Sequence, residues 1–229
     1  YGDMCSKMNA VAVVSQSCKA MLQEKLPELE SKLVCIPNML DAVAIGQKAG
    51  NSPYTGDMLH IVSVGRLAPE KHFENVFPAA KALRQAGIDF AWHVIGDGPE
   101  RSKLETLIAE NDLKDHVILD GSKTNPYPYM KYADLFVHPS YVESQGLTVL
   151  EAMALDVPCV VTKSRGPCEF IEDGVNGLLT EQSPESLTEK VLSILTDKTL
   201  FQSIKENTVC PEQFAPDRVM KQIEELIDG

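Results

Sequence analysis

The chain has 229 residues and a formal net charge of −12, with 44% hydrophobic and 24% charged residues. These proportions fit a globular protein with a sizeable core, in one large domain or one domain plus part of another, and exclude a disordered chain. The acidic balance argues against a nucleic-acid binder, which carries a basic excess, yet it leaves room for a phosphate-bearing ligand held by a few local cations.

Residues 10–17, "AVAVVSQS", read as a strand, followed by a helical stretch and a second strand at 32–38. A weakly patterned connector, 39–57, leads out of this small unit. Six apolar runs then read as strands, at 59–65, 90–96, 116–121, 134–140, 158–162 and 177–180. Helical stretches separate them at 74–86, 99–111, 126–132, 146–156 and 166–172, and a long helical tail follows from 184. Several runs are apolar at nearly every position, as strands covered on both faces are. The alternation predicts an α/β fold, a Rossmann-like doubly wound parallel sheet with right-handed crossovers.

Such sheets bind ligands beyond the carboxyl ends of their strands. Gly65-Arg66, Gly96-Asp97-Gly98, Gly121-Ser122-Lys123 and Pro139-Ser140 all fall there. Turns need these residue types anyway; four such turns on one edge are what mark a site. In "VGRLAPEKHFEN", Arg66 follows a strand and Lys71 stands near the next helix, so the two cations could hold a diphosphate. Two solvated surface cations would look the same in sequence. "IGDGPE" is no dinucleotide fingerprint, because Arg101 stands where G-x-G-x-x-G needs its third glycine. The six cysteines form no C-x-x-C pair and no metal-ligand spacing, so reduced thiols of a cytoplasmic protein are expected. No apolar run approaches the ~20 residues that span a bilayer. The first residues lack a signal-peptide pattern, and a start at Tyr1 reads as a chain cut from something longer.

"ESQGLTVLE" places Glu143 and Glu151 around Gly146. If a helix begins here with Ser144 as its cap, the N–H groups of Gly146, Leu147 and Thr148 point outward. Eight residues at helical rise span roughly 12 Å. That exceeds the ~5–9.5 Å between the carboxyl groups of glycoside hydrolases and suits contacts at two ends of one extended ligand. Plain solvation of a helix surface is the other reading of the spacing.

"PSYVESQGLTVLEAMALDVPCVV", with the following "GPCEFIEDGVNGLL", resembles the nucleotide-sugar site of retaining glycosyltransferases of the group 1 (family 4) type. "VGRLAPEKHFENVFPAAKAL" resembles that family's diphosphate-binding segment, and "VCIPNMLD" the junction leading out of its N-terminal domain. The resemblance covers nearly the whole chain, in the expected order. It implies a GT-B architecture in which 1–40 is the remnant of an N-terminal domain and the junction, and 41–229 the C-terminal donor-binding domain with its helical tail.

By the same resemblance Arg66 and Lys71 contact the donor diphosphate and Glu151 accepts from the ribose hydroxyls. Glu143, the catalytic candidate, meets the hydroxyls of the donor sugar, and the amides of Gly146, Leu147 and Thr148 face sugar and phosphate. Fixed cations and amides would stabilise the leaving diphosphate in place of a metal, and no cofactor is implied. A UDP-sugar is favoured over a GDP- or ADP-sugar. The acceptor, a saccharide or glycolipid, and any peripheral membrane contact are left to the absent domain, so this piece is expected to be inactive alone. Three positions depart from the family's pattern: His72 and Asp156 stand where glycine is common, and Gln145 where an aromatic residue often precedes Gly146. Gln145 puts the identity of the transferred sugar in doubt. His138 ends a strand on the ligand edge and reads as a hydrogen-bonded structural histidine. An epimerase of the same plan and a non-catalytic nucleotide-binding module are the rival readings.

Overall fold

The computed structural model describes Cys5 and residues 7–228, and the parts of the expected domains on 1–4, 6 and 229 lie outside the described residues. Strands β1 (Val11–Val13) and β2 (Leu33–Cys35) pair in parallel around helix α1 (Gln16–Lys25). The Ser15 hydroxyl caps α1 by accepting from the Cys18 N–H at 3.2 Å. Val13, Leu29 and Leu33 give this unit a small core of its own.

The connector contains a helix that its weak pattern did not announce, α2 (Ala42–Lys48). Asp41 caps it by accepting from the Ala44 N–H at 2.9 Å, and Ile45 and Ala49 are buried in the main core. One buried anchor on seven residues, with Ala49 just beyond them, is too little to show a helical period, so the cap and the packing decide.

The main sheet holds β3 (Leu59–Val64), β4 (Phe90–Ile95), β5 (Val117–Gly121), β6 (Leu135–His138), β7 (Cys159–Thr162) and β8 (Leu178–Thr180). All pairs are parallel, in the order β5-β4-β3-β6-β7-β8. Every residue of β6 and β7 is buried, because neighbouring side chains go to opposite covered faces. Ile61, Val137 and Val160 enter one core layer, and Val62, Phe136 and Val161 the other.

Helices α3 (Val76–Gln85) and α4 (Arg101–Glu110) cover the first layer through Leu83 and Leu104. On the second face lie α5 (Tyr127–Lys131) and α6 (Leu147–Met153), which contribute Met130, Val149 and Met153 beside Ile45 of α2. The expected single tail is three helices: α7 (Pro184–Thr196), α8 (Lys198–Asn207) and α9 (Pro216–Asp228). Asp197 breaks the first junction by accepting from the N–H groups of Thr199 and Leu200, at 2.9 and 3.0 Å, and so starts a new helix. The stretch 166–172 is only a tight turn, Pro167–Glu169. No helix among the described residues is long and apolar enough to cross a membrane.

From β3 the chain adds β4 and β5 on one side, then returns to place β6 on the other. The crevice between the carboxyl ends of β3 and β6 is therefore the topological switch point, where open α/β sheets take ligands.

Candidate functional site

The segment after β3 carries Arg66 and then a tight turn, Pro69–Lys71. The segment after β6 carries Glu143. They meet across the switch point: Lys71 Nζ donates to Glu143 Oε1 at 2.5 Å. His138, buried at the end of β6, holds the same oxygen through Nε2 at 2.8 Å. Burial pushes the Glu143 carboxyl up, but the hydrogen bonds and charges of His138 and Lys71 outweigh it and hold the group at about 2. Glu143 is thus a fixed carboxylate at neutral pH, an acceptor and not an acid. Its other oxygen, Oε2, takes no donor from the described residues, and Glu143 is among the residues lining a cavity of about 680 Å³.

Glu151 is held separately, one and more turns along α6. Its Oε1 accepts from the Tyr127 hydroxyl at 3.1 Å. Burial raises its carboxyl above the usual range, and the Tyr127 bond offsets this only in part. Between the two glutamates the helix starts later than its serine suggested. Gly146 occupies the cap position in the left-handed region, φ 84°, and Ser144 does not cap α6. The N–H groups of Gly146, Leu147 and Thr148 have no acceptor among the described residues, as expected for the first turn of a helix without a side-chain cap.

Arg66 is exposed and unpaired among the described residues. With Gly65, Gly96, Asp97, Ser122 and Lys123 it lines a cleft of about 280 Å³. Gly96 is there for close approach: a Cβ on it would lie 1.8 Å from the carbonyl oxygen of Gly65. The structure therefore joins Lys71 to Glu143, sets Glu151 apart on Tyr127, and leaves Arg66 and the three amides open.

Two of the departures from glycine have structural counterparts. His72 and Asp156 both adopt positive φ, 48° and 58°, a region that His and Asp enter more readily than most residues. His72 also stacks on Tyr141, with ring centroids 3.8 Å apart. Sequence reasoning did not anticipate Tyr127, which lies 24 residues before Glu151, and no local pattern links them. It named His138 without its partner, and the signal available was the position of that ring at a strand end on the ligand edge. Among the described residues no three His, Cys, Asp or Glu side chains gather where they could hold a metal ion.

Residues 51–209 match the family model described as "Glycosyl transferases group 1". An exopolysaccharide phosphotransferase of Streptomyces coelicolor is 34% identical over 224 residues, 96% of this chain but 23% of that protein. An alpha-D-kanosaminyltransferase of Streptomyces kanamyceticus is 34% identical over 151 residues, 64% of this chain and 39% of that protein. The chain thus spans well under half the length of these relatives. The fold is shared with S. aureus TarM, crystallised as a mutant in complex with fondaparinux, alpha-GlcNAc-glycerol and UDP: the TM-score is 0.83 at 22% identity, over 100% of this chain and 45% of that one.

Proposed function

The chain belongs to the group 1 glycosyl transferases, and we propose that it is the donor-binding half of a retaining enzyme of GT-B architecture. The substrate would be a nucleoside-diphosphate sugar, a UDP-sugar before a GDP- or ADP-sugar, and the product a polysaccharide or glycolipid. The observation that carries this reading is the Lys71–Glu143 pair across the carboxyl ends of β3 and β6, with unpaired Arg66 in the segment after β3 and the open amides of 146–148 in the segment after β6.

In the proposed mode the diphosphate lies between Arg66, Lys71 and the amides of Gly146, Leu147 and Thr148. Lys71 uses one of its three donors on Glu143, which leaves two for phosphate. Glu151 accepts from the ribose hydroxyls. Glu143 presents Oε2 to the donor sugar, where a fixed negative charge also favours the positive character that grows at the anomeric carbon. As the glycosidic bond breaks, its electron pair goes to the diphosphate, and the cations and amides stabilise the new charge without a metal.

The test is calorimetric titration with UDP, GDP, ADP and their common sugar conjugates. Binding of a nucleoside diphosphate, tightened or matched by one of its sugar conjugates, supports the reading. No binding of any of them removes it.

A further inference from the structure

Gln145 stands in sequence between Glu143 and the open amides, yet the residue is only 4% exposed and its side chain is engaged with Asn38. Its Oε1 accepts from the main-chain N–H of Asn38 at 2.8 Å and from Asn38 Nδ2 at 2.9 Å. Its Nε2 donates to the Asn38 carbonyl at 3.0 Å. A primary amide offers one acceptor and one donor in the arrangement of a peptide unit, so it reads Asn38 as a neighbouring strand would. An aromatic or aliphatic side chain here could pair with neither group.

The opposite side of the same loop is gripped by residues 166–167. The Gly166 N–H donates to the Glu143 carbonyl at 3.2 Å. A Cβ on Gly166 would lie 2.4 Å from the Cα of Gln145, so only glycine lets the two segments touch. The small β1–α1–β2 unit holds this neighbourhood from further points. Glu169 accepts from the N–H groups of Gln16 and Ser17, at 3.0 and 2.7 Å, at the start of α1. Cys18 Sγ lies 3.8 Å from the Ser144 carbonyl. These ties of the small unit, with that of Asn38, end on residues 144, 145 and 169, and none of them ends on the strands of the main sheet.

We infer that Gln145 is a positioning residue: its clasp on Asn38 sets the placement of Glu143 and of the 146–148 amides according to the placement of the segment that leaves the small unit. The kinetic consequence rests on the transferase reading above, whereas the mechanical one does not. Movement of the small unit relative to the main sheet is transmitted to the loop through Asn38, and the loop is productive only while the clasp is closed.

Gln145→Met keeps the length of the side chain and removes every hydrogen bond of the clasp. In the full-length protein its expected effect is loss of amide-exchange protection at Asn38 and, together with it, at Val149 and Leu150, whose N–H groups donate to the Gly146 carbonyl at 3.0 and 3.3 Å, by about tenfold or more, with Phe136 and Val161 unchanged. In the transferase assay kcat falls about tenfold or more while the donor KM moves less than about threefold. Gln145→Glu keeps the acceptor half and falls between Met and wild type in both measurements. Wild-type protection at Asn38, or at Val149 and Leu150, in the Met variant overturns the inference, as does a loss carried by KM alone. A wild-type protein that transfers no sugar overturns the transferase reading, and exchange then decides the clasp by itself.

Discussion

Lys71 and Glu143 stand 72 residues apart in the chain and 2.5 Å apart in space, joining the carboxyl ends of β3 and β6. With His138 on the same oxygen, the pair holds Glu143 at about 2, against an ordinary value of 4.5. A carboxylate whose folded value lies below its unfolded value stabilises the fold above the unfolded value, and that contribution is lost as pH falls toward the folded one. Wild type should therefore be more stable than Glu143→Gln by about 3 kcal/mol near neutral pH, since a tenfold change in an acidity constant is worth ~1.4 kcal/mol. The gap should close between pH 4.5 and about 2. Urea unfolding of both proteins across this range checks it; parallel pH curves would contradict the pairing.

The two cations should respond differently to removal. Arg66 has no partner among the described residues, so Arg66→Ala should leave stability within about 0.5 kcal/mol of wild type. It should weaken a nucleoside diphosphate by about 1.5–3 kcal/mol and the bare nucleoside hardly at all. Lys71→Ala should show the same ligand selectivity and also lose stability, because Glu143 keeps only His138. Paired titrations with UDP and uridine, with unfolding curves for each variant, separate the outcomes. Equal losses for nucleotide and nucleoside would remove the phosphate role.

Glu151 gives a pH-dependent selectivity. Its carboxyl sits above the ordinary 4.5 through burial, and the Tyr127 bond pulls it back only in part. In the proposed mode it accepts, as a carboxylate, from both ribose hydroxyls; once protonated it would also be a donor and lose that preference. The preference for a ribonucleotide over its 2′-deoxy form should therefore fade on acidification before pH 4.5 is reached. Tyr127→Phe removes the opposing bond and should move that loss to higher pH. Calorimetry with both nucleotides at several pH values from about 7.5 to about 5 follows it. A wild type that never distinguishes the two nucleotides would rule out the ribose contact.

Away from the site, His60 lies face to face with Tyr54, ring centroids 3.9 Å apart, and both of its ring nitrogens are buried without a protein partner. Burial and neighbouring His93 lower its pKa, with Asp134 opposing them. A histidine held neutral in the fold takes up its proton more readily when unfolded. Stability should fall as pH drops below its unfolded value of 6.5 and on through the lower folded value. His60→Phe keeps the stack and removes the titration, so the variant should lose less stability than wild type between about pH 7 and pH 5. Denaturant unfolding at the two pH values is the measurement, and equal losses would show that the ring does not titrate as described.

The doubly wound sheet and the order of its strands along the chain could be read locally, because strands covered on both faces leave unbroken apolar runs such as "LFVH" and "CVVT". The loop holding Glu143 and Gly146, with Glu151 on the helix that follows it, was legible for a related reason: its spacing and its place after a strand lie within one short stretch. Helix α2 was not legible, since its seven residues depend on a cap at Asp41 and on packing of Ile45 and Ala49. Nor did the sequence show that Lys71 meets Glu143, that Tyr127 meets Glu151, or that Gln145 closes on Asn38, 107 residues away. Those partners were decided by strand order, which placed β6 beside β3, and by the packing of the small unit against the loop after β6. Hydrophobic period and turn chemistry are properties of neighbouring residues and survive reading in one dimension. The partner of a polar side chain depends on which strand ends the crossovers bring together, and that exists only once the sheet has formed.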